Sequence, residues 1–403
     1  MEVKFQMNDK RERKNTNIFL LFTVVSGIAA NICSEGYIQA YLIRIGFDTD
    51  GIRDYGLVIQ TVAVAAYLMF TRLPPVKNGL KAMFAAAVFC SGIFPAVLAV
   101  AGYIPSFAAI YTAVLIAAAS YGFLTAFRAV AENSMVPYLF SRSLYGDTVG
   151  KAMIAGGIIT VCISAGFLFG QDGVWIYTAL FCVSAATLFI SAFLVSLYRF
   201  QSIESEKPPT RVMYSDIFKK ILSARYMANL APHFLRGAGM AGMYYIVPSV
   251  LENIGLSDAD RSFLIVVSVV STMVGSFVFM RLNKKIKSGM TTFAAILLCS
   301  VLMPILVLCT EKYLFFALYF VFCVFNVISS VSIPTGVLRS TPDDELPLVT
   351  SMRFLLMSIA SSLFIFVFGV LLKYIAAIYI MVFSGAVFVL CGFLYKRQFD
   401  DRL

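Results

Sequence analysis

Charge is scarce in this sequence, and histidine almost absent. Only 13% of the 403 residues are Asp, Glu, Lys or Arg, about half the share of a soluble domain. His233 is the one histidine, which excludes a multi-histidine metal centre. No GxxxxGK[ST] phosphate loop occurs, and no hydrophilic stretch is long enough to form a nucleotide-driven motor. These absences argue against an enzyme and against a cofactor. No Asn-x-Ser/Thr acceptor occurs either, which with the short connections leans towards a bacterial cytoplasmic membrane. The eight cysteines lie in apolar runs without paired short spacing, so they read as free thiols rather than zinc ligands or disulfides.

What is abundant is apolar surface. Hydrophobic residues make up 60% of the chain, with a mean hydropathy of +0.85. A bilayer core about 30 Å thick takes roughly 20 apolar residues per spanning helix. With Gly, Pro and charge clusters as punctuation, spans are expected at 17-44, 55-72, 81-101, 106-138, 149-170, 174-198, 225-251, 262-281, 290-310, 312-337, 348-372 and 374-395. The chain is thus expected to be an all-α integral membrane protein of twelve transmembrane helices. The first run follows a polar segment (1-16) and continues without a small-residue cleavage site, so it reads as a retained span.

The excess of positive charge is distributed by side. The connections on the side of both termini carry 25 Lys and Arg; the opposite connections carry five (Arg44, Arg53, Arg261, Lys312, Lys373), and Arg128 and Arg236 lie within spans. This is the positive-inside pattern, so both termini are expected in the cytoplasm, and the net charge of +10 reports topology rather than nucleic-acid binding.

The chain also repeats itself. "YLIRIGF" at 41-47 is echoed by "VLENIGL" at 250-256: at an offset of 209, Leu42, Ile45 and Gly46 fall on Leu251, Ile254 and Gly255, and Phe70, Arg72 and Leu73 on Phe279, Arg281 and Leu282. Further on, Thr148 and Lys151 match Thr350 and Arg353. Two pseudo-symmetric six-helix bundles follow (17-198 and 225-395), joined by a charged, Pro-containing cytoplasmic linker (199-224) and ended by a short tail (396-403).

With its twelve spans, long middle linker and basic loops "RLPPVKNGLK" (72-81) and "RLNKKIKSG" (281-289), the sequence resembles the major facilitator superfamily over nearly its whole length. Both loops keep an Arg-Leu start, at Arg72 and Arg281, and a later Lys-x-Gly or Lys-Ser-Gly, but lack the family's aspartate. Span five has Gly156, Gly157 and Gly166 without the proline of the drug-antiporter motif. The resemblance implies that spans one, four, seven and ten line a central cavity.

Ionisable groups at membrane depth are costly and therefore candidates for function. Those identified are Glu35 in span one, Arg128 and Glu132 in span four, and His233 and Arg236 in span seven. Arg236 lies about 15 Å into its span, near the midplane, where it needs an anionic solute or a carboxylate such as Glu35. Glu35 is a candidate for solute contact or reversible protonation. Arg128 and Glu132, one turn apart, suit an intrahelical pair or an inner gate, and His233 reads as a packed histidine. Gln60 and Asn326 offer uncharged solute contacts. Gly237, Gly239 and Pro248 make span seven the candidate bending helix, or let its neighbours approach closely.

The expected function is secondary transport of a small organic solute by alternating access, driven by protons or sodium or by neither, from a monomer in the cell membrane. Efflux of an amphipathic drug or lipid is the alternative within transport. A non-transporting sensor or assembly protein is the alternative outside it.

Overall fold

The computed structural model describes residues 2–70, 77–139, 145–168, 174–198, 224–246, 254, 258–283, 286–341 and 346–400. Among them the chain is helical throughout, with no strand. In order the helices are α1 (Glu2–Ile32), α2 (Glu35–Arg44), α3 (Thr49–Phe70), α4 (Lys77–Ser91), α5 (Ile93–Ala101), α6 (Phe107–Leu139) and α7 (Tyr145–Leu168). They continue as α8 (Val174–Ser196), α9 (Ala224–Ala241), α10 (Asp258–Leu282), α11 (Ser288–Val307), α12 (Lys312–Ser340), α13 (Leu346–Leu371) and α14 (Ala377–Asp400). Nine spans among the described residues are long and apolar enough to cross a bilayer, with a shorter apolar segment at Val266–Leu282. Helices suit this solvent because each backbone polar group is satisfied within its own segment. The protein is a multi-pass, all-α membrane protein of two six-helix bundles.

Two expected spans are each split into a pair of α-helices. Span one stops at Ile32, Ser34 turns extended (φ −63°, ψ 144°), and α2 restarts at Glu35. Span three pauses at Gly92, between α4 and α5. Gly92 there faces the ring of Phe189 on α8 closely enough that a Cβ would collide with it.

The echoed "IGF" is a helix stop. Gly46 has φ +102°, the left-handed conformation that glycine adopts without penalty. Phe47 N–H donates to the Leu42 carbonyl (2.9 Å) and Gly46 N–H to that of Ile43 (3.1 Å), the hydrogen bonds of a Schellman cap. Its counterpart Gly255 lies outside the described residues, as do the 199-223 linker, Arg72 and Pro248.

The two bundles meet along two seams, α3 against α13 and α7 against α10. In the second seam, Gly150 and Gly157 of α7 face Met280 and Met273 of α10, and Ser276 Oγ donates to Met153 Sδ (3.3 Å). One apolar cluster joins both bundles at the end of the seam that carries Tyr67, bringing Tyr67, Met135 and Tyr145 together with Phe279, Met352 and Leu355. The remaining two clusters are drawn mainly from one bundle each. All eight cysteines are free.

Candidate functional site

Arg236 is carried by α9 and buried, with 6% of its surface exposed. Its Nη2 donates to Ser330 Oγ on α12 (3.1 Å), while Nη1 is buried without a hydrogen-bond partner. One turn before Ser330, Asn326 has its Oδ1 buried and equally unpartnered. Ser330 itself is exposed although it faces α9. Two buried, unpartnered polar atoms and one exposed hydroxyl thus lie together where α9 faces α12.

Close packing of α9 on α13 and α14 sets this position. A Cβ on Gly237 would collide with the Met357 carbonyl, one on Gly239 with the Phe388 ring, and one on Gly242 with Ser384. Side chains at these three points would push α9 away and move Arg236 with it. After Ala241 the helix tightens into a 3₁₀ turn, Gly242–Tyr245, a departure that often marks a hinge.

A second arginine belongs to the same neighbourhood, and sequence reading misses it. Counting charges by connection assigns Arg353 to the cytoplasmic side, yet it is 4% exposed on α13, its guanidinium 4.4 Å from the centre of the Phe354 ring. Its helix packs directly on α9, with Gly237, next to Arg236, facing Met357 one turn from Arg353. The available signal was its place inside the 348-372 run and its alignment with Lys151. Among the described residues no carboxylate forms an ion pair with Arg236 or Arg353. His233 is buried beside them, its Nδ1 2.6 Å from Tyr395 Oη, a packed arrangement that ties α9 to α14.

The other candidates are spread around this centre. Gln60 on α3 donates through Nε2 to Tyr244 Oη (3.1 Å), bridging the two bundles. Arg128 and Glu132 pair along α6 at 3.9 Å, with Arg128 also over the Phe22 ring at 5.4 Å. Arg281 is exposed at the end of α10, over Phe277 (5.2 Å). Glu35 is the first residue of α2, directly after the break in span one; its side chain lies outside the described part. Near that break, Tyr37 Oη and Gln39 Nε2 are buried without partners, two polar groups that the hydrophobic run concealed.

At the Asp50 end of α3 a cluster of charges crosses the seam. Lys373, beyond α13, pairs with Asp50 on α3 (3.1 Å), and Arg53 pairs with Asp50 and Asp54 (both 2.8 Å). Tyr111 Oη donates to Asp54 (2.6 Å). The hydrogen bond from Lys373, helped by Arg53, holds the Asp50 carboxyl below its ordinary range. At the opposite end of α3 the seam is closed by aromatic packing instead, Tyr67 stacking on Phe354 at 5.5 Å.

No family model and no curated protein matches this sequence. Solved structures do match in shape. A variant of the E. coli fucose:proton symporter FucP superposes with a TM-score of 0.67 at 15% identity, over 98% of this chain and 99% of the symporter. The human organic anion transporter MFSD10 does so at 0.66 and 13%, over 95% and 99%. A bacterial homologue of the iron transporter ferroportin, in its outward-facing state, gives 0.66 and 12%, again over 95% and 99%. With two six-helix bundles meeting along paired seams, and whole-length likeness to three different transporters of that architecture, the chain has the major facilitator superfamily fold.

Proposed function

We propose that the protein is a secondary transporter that carries a small organic solute across the cell membrane by alternating access, its two bundles rocking about a site beside Arg236. The observation that carries this reading is the seam between the bundles. It is bridged at the outer end by Asp50–Lys373 and at the inner end by Tyr67–Phe354, while α9 and α12 of the C-terminal bundle carry buried, unpartnered polar atoms. Contacts of these two kinds can be broken one at a time. An alternating mechanism needs that property, since each state must differ from the other in specific contacts.

Glu35 is the proposed coupling carboxylate. It stands at a helix break, where an irregular backbone at membrane depth is tolerated if it is buried in protein or lines a cavity. Arg128–Glu132 and Arg281 are assigned to gating or structural support, and Gln60 to a contact that changes as the bundles move. The protein is proposed to work as a monomer with both termini in the cytoplasm.

The test is counterflow. Purified protein in liposomes preloaded with one solute should accumulate its labelled form transiently, and an imposed proton or sodium gradient should identify the coupling ion. A chain that exchanges no member of a broad panel of sugars, amino acids, organic acids and nucleosides is not this transporter.

A further inference from the structure

We infer that the transported solute is an organic oxyanion, bearing a carboxylate or phosphate and an adjacent hydroxyl, which Arg236, with Arg353 on the neighbouring helix, binds beside Ser330. This rests on the transport reading above and adds the chemical class of the cargo. Two guanidiniums are buried on helices that pack together, α9 and α13, where Gly237 next to Arg236 faces Met357 one turn from Arg353, and among the described residues neither has a carboxylate partner. Burying a charge is tolerated when it is paired and hydrogen-bonded, and like charges side by side worsen the cost. An anion entering between them relieves both.

Geometry favours the same conclusion. Arg236 has committed Nη2 to Ser330 and keeps Nη1 free. A carboxylate or phosphate oxygen is the natural acceptor for that second arm of the fork. Ser330, exposed on the inward side of α12, marks the side from which a solute arrives. One helical turn away, the unpartnered Asn326 Oδ1 lacks a donor, and a hydroxyl next to the oxyanion supplies one. A neutral sugar brings no charge to either guanidinium. A cation would add to the positive charge.

Thermal unfolding of the purified full chain in detergent tests this with matched pairs: lactate against lactamide, malate against malamide, and glycerol 3-phosphate against glycerol, with succinate as the acid that lacks the hydroxyl. At least one hydroxy-oxyanion should raise the unfolding midpoint by about 2–4 °C at saturating concentration, its neutral partner should not, and succinate should bind more weakly than malate. Arg236→Lys keeps the charge but loses the fork, so it should weaken binding about tenfold or more; Arg353→Gln should weaken it similarly. Folding of each variant is checked by its unliganded unfolding transition, and Arg353→Lys replaces any variant that fails. No shift from any acid, equal shifts from acid and amide, or native affinity in the folded variants overturns the inference. Oxyanion binding without counterflow sinks the transport reading and leaves this site standing. Counterflow of a neutral solute without oxyanion binding does the reverse.

Discussion

At the scale of single residues, Arg236 and Glu35 raise different questions. Arg236 is held by contacts that stay within the C-terminal bundle, so its replacement acts on binding more than on folding of the seam. Arg236→Ala should abolish counterflow while the protein still folds. Transport at the native rate by a folded Arg236→Ala variant would reduce this arginine to a structural group. Glu35 belongs to the other bundle and to the helix break. If it couples protons, Glu35→Gln mimics the protonated acid, so gradient-driven accumulation should fall while downhill exchange survives. If it only touches solute, the same change should raise the apparent KM and leave the pH profile of transport unaltered. Profiles of native protein and variant, with and without a gradient, separate the two, and unimpaired accumulation by the variant would reject both.

At the scale of elements, α9 depends on its glycines. They lie where α13 and α14 come closest, against Met357, Phe388 and Ser384. Gly237 meets backbone, which cannot rotate aside, whereas Gly239 meets a ring packed in a buried core. Gly237→Ala should therefore destabilise the protein by about 1–3 kcal/mol, the usual cost of overpacking, read as a lowered unfolding midpoint with a matching loss of solute binding. An unchanged midpoint would mean that α9 can shift freely, and its close packing would not then be what positions Arg236. The 3₁₀ turn at Gly242–Tyr245 lies just beyond these contacts. A hinge there can bend the outer end of α9 while leaving Arg236 in place.

For the whole molecule, the ends of the seam respond to different conditions. Charges hold the outer end, and salt and acid weaken such pairs. Asp50 has a depressed folded-state pKa because Lys373 donates to it. Its contribution to outer closure is thus fully present above the ordinary aspartate value of about 3.9 and is lost as pH falls through the lowered one. Lys373→Ala should remove that pH dependence and speed thiol labelling of a cysteine placed at Gln60 from the outside. Labelling unaffected by both acid and Lys373→Ala would show that the pair does not hold the seam. Aromatic packing at the inner end should respond to neither. Topology is checked separately: reporters at Glu206 and Lys284 should be cytoplasmic and those at Asp50 and Asp258 external. An external linker would break the twelve-span arrangement.

By itself the sequence determined the broad architecture, because a bilayer imposes one simple rule on every segment. Long apolar runs had to be helices, since a backbone polar group at that depth must find its partner within its own segment. It also marked Arg236, since a charge in mid-span stands out against Leu, Val and Phe. Tertiary structure decided what depends on neighbours distant along the chain. Arg353 looked like a loop residue near the end of a span until the packing of α13 buried it beside Arg236. The break at Ser34 carries no proline and no glycine run, so composition concealed it. Gly237 and Gly239 fitted either bending or close packing, and their places against Met357 and Phe388 show the close packing. Hydropathy is a property of segments, whereas burial, partnering and the orphaned Nη1 of Arg236 are properties of pairs that only folding brings together.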